Sequence, residues 1–159
     1  MNEEQKFTLS EVHRHFAVQL NGETWALLDK TERTTEENER MLYTVFASGY
    51  HWLQAATPLH HQRSEWMIAR VYGVLGRAEE ALRHARRCLE LTEAYPDLLE
   101  DFDFAFAYEG MARALALAGQ REEAEGYHQR AAAAQIADAE DRQIFEADFQ
   151  SGNWGVLGR

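Results

Sequence analysis

Apolar positions along this chain return every three or four residues, the period of a helix face, and no Val/Ile/Thr-rich alternating run bounded by turns interrupts them. The pattern predicts an all-α fold of about seven helices, consecutive ones antiparallel, with no sheet. The first helix is expected over about residues 10–30, with Leu9, Val12, Phe16, Leu20 and Leu27 in one stripe. Leu27 stays in phase with Phe16, so Asn21-Gly22 is read as lying inside a single helix. Thr34 opens the second helix through a capping box with Glu37. Met41, Leu42, Val45, Phe46, Trp52 and Leu53 form its apolar side, and it stops before Thr57-Pro58, where the residue preceding proline disfavours helical geometry. Thr57 is expected to cap the third helix, which carries Trp66, Ile68, Ala69, Tyr72 and Leu75 to a terminating Gly76. AEEALRHARRCLELTEA is the fourth helix, and a polar connection with a proline, about residues 95–101, follows it. The fifth uses Phe104, Tyr108, Met111, Ala112 and Leu115 and ends at Gly119. A sixth, Ala-rich, is expected over about residues 121–136, and a seventh, short and acidic, over about 139–150. Residues 1–7 read as a frayed tail, and SGNWGVLGR as an irregular one docked by Trp154.

Within this pattern the middle of the chain repeats itself. Ala69-x2-Tyr72-x3-Gly76-x4-Ala81 returns as Ala112-x2-Leu115-x3-Gly119-x4-Ala124, each position 43 residues on, and Glu79-Glu80 returns as Glu122-Glu123. The small residues suit close helix crossings and the glycines suit tight turns. In these positions the chain resembles a tetratricopeptide-type helical repeat, as two degenerate copies over about residues 62–134, with an offset longer than the family's ~34. The resemblance implies a single-domain stack of antiparallel helical hairpins, an α-α superhelix. Residues 8–57 would be a diverged leading pair, 58–136 two hairpins, and 137–159 a capping helix and tail. It also implies an inner surface lined by the first helix of each pair, on which such folds bind peptides, proteins or their own copies. The seventh helix would cap one end with Ile144, Phe145 and Phe149 inward.

Composition narrows the function classes. With 45% apolar and 11% aromatic residues the chain is a folded globule. A net charge of −11 disfavours nucleic acid and anionic membranes as partners. No apolar run approaches the ~18 residues of a membrane span. The single Cys88 can form neither an internal disulfide nor a Cys-based zinc site, and it falls on the apolar side of the fourth helix as a small core residue. The acidic start lacks the order of a signal peptide, so a cytoplasmic protein is expected.

Two constellations carry candidate chemistry. On the third helix Arg63, Trp66 and Arg70 share a face at i, i+3, i+7, and on the fifth Phe106, Glu109 and Arg113 repeat that spacing. The arginines read either as fork-shaped donors for a carboxylate or acidic peptide, or as charges neutralised internally by Glu109 and Glu65. The second constellation is His51 with His61 and Glu65, the last two at i, i+4, a spacing that could hold a metal on one helix face. No G-x-S-x-G, P-loop or dinucleotide fingerprint accompanies either, so no cofactor is expected. The leading expectation is a non-catalytic interaction module for a peptide or protein; the alternative is a small-ligand or metal-dependent enzyme with a pocket near His51, His61 and Glu65. Trp25 and Leu28 add apolar surface to the first helix, from which a homodimer through that helix is expected.

Overall fold

The computed structural model describes residues 5–55 and 57–158. The chain forms helices α1 (Leu9–Leu28), α2 (Thr35–Ala55), α3 (Pro58–Val74), α4 (Ala78–Ala94), α5 (Asp101–Leu117), α6 (Arg121–Ala133) and α7 (Ala139–Gln150), with short 3-10 turns at Pro96–Leu98 and Gly155–Leu157. Among the described residues there is no strand, and no helix is long and apolar enough to cross a membrane. Helices pack as adjacent pairs, α1 with α2, α3 with α4, and α5 with α6, and the pairs stack through α2 on α3 and α4 on α5. This is the expected all-α helical stack. Of the expected frayed tail, residues 1–4 lie outside the described residues, as does residue 159 of the C-terminal tail; residues 5–8 are not helical.

α1 runs unbroken through Asn21-Gly22, but its buried side is rotated from the expected stripe. Ala17, Thr24 and Leu27 are buried, whereas Leu9 is 73% and Phe16 44% exposed. The reason is that α2 meets α1 through small and hydroxyl-bearing residues. Thr24 donates to Thr44 at 2.9 Å, and Ser48 donates to the Ala17 carbonyl at 2.8 Å. Such a face brings two helices close yet carries almost no hydrophobic signal in the sequence. The start of α1 is a capping box: the Thr8 hydroxyl accepts the Glu11 N–H, and the Glu11 carboxylate accepts the Thr8 N–H at 2.7 Å. Thr34 and Glu37 form the same box at α2, as expected. Thr57 makes no side-chain cap on α3; its hydroxyl lies 3.2 Å from His60 Nδ1 instead.

The sequence repeat is a repeat of structure. α3 and α5 begin 43 residues apart, as do α4 and α6. Gly76 and Gly119 end their helices at φ +73° and +79°, and the residue after each donates its N–H to a carbonyl five residues back, Arg77 to Tyr72 and Gln120 to Leu115, both at 2.9 Å. A left-handed residue closing such a bond is the standard way to satisfy the last carbonyls of a helix, and glycine takes it without strain. Ala81 and Ala124 are buried with Ala69 in one core cluster around Leu115, as expected of small residues at helix crossings.

Toward the C-terminus the chain turns back on the stack. α6 stops at Ala133, three residues earlier than expected, because Ile136 leaves the helix to bury itself among Ala105, Ala131 and Phe145. α7 then packs on α5. Its Phe145 is buried and Phe149 half-buried, whereas Ile144, expected inward, is 57% exposed.

Candidate functional site

The first helices of the three pairs, α1, α3 and α5, bring their aromatic residues into one continuous ladder. Trp25 lies 6.0 Å from Trp66, Trp66 lies 5.2 Å edge-on from Phe106, and Phe106 lies 5.0 Å from Phe145 of α7 (ring centroids). The ladder marks one side of the stack, here termed the inner face, and the C-terminal segment covers its α5 end. All six residues picked out by their spacing, Arg63, Trp66, Arg70, Phe106, Glu109 and Arg113, meet on it.

Glu109 is the hub, with no exposed surface. Its carboxylate accepts Trp66 Nε1–H at 3.0 Å and Arg70 at 3.2 Å, and is paired closely with Arg113 one helical turn on. Arg70 also donates to Asp148 of α7 at 2.7 Å. Arg113 donates to the Asp148 and Ser151 carbonyls at 2.8 and 3.0 Å, and its guanidinium lies 4.0 Å from the Trp154 ring centroid. Burial pushes the Glu109 carboxyl above the usual carboxylate range; Asp148 adds to the rise, while Arg113 and Arg70 oppose it. Arg63 is held separately, in a two-pronged bond to buried Asp103 at 2.8 and 2.9 Å.

The arginines are therefore neutralised within the stack, by Glu109, Asp103 and Asp148. Glu65 takes no part in this; it accepts from His84 at 2.6 Å and lies 3.4 Å from His61. Asp103 and Asp148 were not picked out by the sequence pattern as part of this face; Trp154 was, but only as the residue that docks the tail, which it does on Arg113, His128 and Phe149. Of the two acids only Asp103 left a trace in the sequence, as the third residue after Glu100 in a helix-opening acidic pair. Beneath the hub a cavity of about 90 Å³ remains between α3, α5 and the tail, walled by Ala69, Gly73, Gly110 and Ala114 and edged by Arg70 and Arg113.

The histidine constellation is divided. His51 meets His13, Nδ1 to Nδ1 at 2.8 Å, beside Phe16 and Tyr50, whereas Glu65 stands between His61 and His84. Among the described residues no three His, Cys, Asp or Glu side chains converge as they would round a metal ion. Trp25 and Leu28 also part company: Trp25, 36% exposed, stands at the open end of the ladder, and Leu28 packs half-buried against Leu27 and Met41. No family model matches this sequence, and neither a curated protein nor a solved structure matches it.

Proposed function

We propose that the chain is a non-catalytic interaction module, a tetratricopeptide-like stack that binds a segment of a peptide or protein along the inner face. One observation carries this reading: the face already holds a helix. α7 lies along α5 with Phe145 on Phe106 and Asp148 on Arg70, so the groups there have the shape and charge to seat an amphipathic helix. The 43-residue repeat and its paired glycine turns support the family likeness. Trp25 extends the face beyond α7 and offers an uncovered aromatic contact. The partner is a peptide or protein with acidic groups for the arginine-bearing surface, a second copy of the chain included; the charge of −11 disfavours nucleic acid and anionic membranes. A single buried thiol suits a reducing compartment, and we place the protein in the cytoplasm.

The test is site-directed photo-crosslinking in native lysate, with the reactive residue at Trp25 or, as the control, at exposed Arg86 on α4. A discrete species captured at Trp25 and absent at Arg86 is the expected result. Equal capture at both positions, or none at Trp25, overturns the reading.

A further inference from the structure

α7 is attached differently from the rest of the stack. Of its twelve residues only Phe145 is buried. The remaining attachment is half-buried Phe149, against His128 and Trp154, and a set of partly exposed polar contacts: Arg70 to Asp148, and Arg113 to two carbonyls at the end of the helix. The fit is also incomplete, because Asp148 Oδ2 is enclosed without a hydrogen-bond partner among the described residues. A carboxylate oxygen shut away from solvent with no donor weakens the docked state. Local opening is cheapest where few apolar side chains are buried, so α7 is built to leave before the rest of the fold opens.

Its departure changes the charge of the face. With Asp148 gone, Arg63, Arg70 and Arg113 stand over only Asp103 and Glu109, leaving one excess positive charge on a molecule of net charge −11. α7 itself carries Glu140, Asp141, Glu146 and Asp148 against a single arginine. We propose that α7 is a resident ligand, a latch that occupies the inner face in cis. The partner that displaces it is an acidic amphipathic helix of another protein bearing the same pattern, Phe-x-x-Asp-Phe, as Phe145, Asp148 and Phe149 present it. This rests on the interaction-module reading and supplies its ligand class and its control. The two aromatic side chains, one turn apart, take the places beside Phe106 and Trp154, and the acid one residue before the second meets Arg70. A tethered ligand competes at high effective concentration, so the closed state lowers the apparent affinity for a free helix by the fraction of molecules that stay latched.

The probe is a dye-labelled peptide of residues 138–154, titrated by fluorescence anisotropy against the full chain and against the full-length variant Phe145→Glu, Asp148→Lys. Helix content by circular dichroism checks that the variant is folded. The peptide should bind the variant about tenfold or more tighter than the wild type, and the same peptide carrying Asp148→Lys should not bind. A folded variant that binds both peptides alike overturns the proposal. Where the variant fails to fold, hydrogen exchange of the wild type decides. α7 amides exchanging about tenfold or more faster than those of α5 support the latch, and equal rates overturn it. A wild-type dimer that the peptide dissociates, seen by sedimentation, would make the occupant a second copy and overturn the assignment to another protein. These outcomes are separate from the crosslinking result at Trp25, which can fail while α7 opens, or succeed while it stays shut.

Discussion

Glu109 works because its surroundings supply three donors at once. A buried carboxylate costs far more than a buried amide unless charge and hydrogen bonds meet it, and here one indole and two guanidiniums do. Glu109→Ala strands Arg70 and Arg113 over a single remaining acid. The loss should be about 3 kcal/mol, at the lower end for breaking a buried pair because both arginines keep some exposure, and urea unfolding measures it. The direction of the Glu109 shift gives a second expectation. The folded chain holds this proton more tightly than the unfolded chain, where the group titrates near 4.5, so its contribution is largest in acid and declines as pH rises from about 4.5 through the raised value. Glu109→Gln removes that decline. The stability of wild type minus variant, followed by urea midpoints at a series of pH values, should therefore fall with rising pH; a flat difference would show that the arginines cancel the effect of burial, and a rising one that they outweigh it. The hub's three partners, Trp66, Arg70 and Arg113, were legible because i, i+3, i+7 spacing on two helices is a strong geometric statement. Asp103 and Asp148 were not, because in a chain with 27 acidic residues no local signal sets a carboxylate paired within the fold apart from a solvated one.

At the scale of elements, the hairpins depend on their turns. Gly76→Ala and Gly119→Ala each force a left-handed residue to carry a Cβ, with a cost of about 1–2 kcal/mol that should appear as a lowered thermal midpoint. Open space surrounds both glycines, so the cost is conformational and not a clash. These turns, the bounds of α4 and the capping box at α2 were all readable from residue types, since each is a local solution to a local hydrogen-bonding problem. The phase of α1 was not. What selects its buried face is the fit of Ala17 and Thr24 to Thr44 and Ser48, a property of two helices together that neither stretch of sequence displays alone. The seating of α7 escaped for a related reason. Its amphipathic pattern says that a face is buried, and only Arg70 and Phe106, far away in sequence, say against what.

For the whole molecule, Cys88 offers a gauge of cooperative opening. Burial pushes its thiol well up from the ordinary value, and it lies inside α4 against the neighbouring pairs. Under native conditions a thiol reagent should label it at the rate of global unfolding, while labelling that matches an exposed thiol would mean that α4 opens independently. The indole of Trp66 and the carboxylate of Glu109, 43 residues apart, occupy the same register position in their two hairpins, and they bond to each other. One copy of the motif has become a donor and the other an acceptor, so the hairpins are no longer interchangeable units. Inserting a second copy of residues 101–133 after the first would set a glutamate against Glu109 where an indole N–H belongs, and two enclosed like charges would face each other. The array thus carries its own count: the order of its hairpins is fixed by complementarity, and growth by simple duplication is penalised from within.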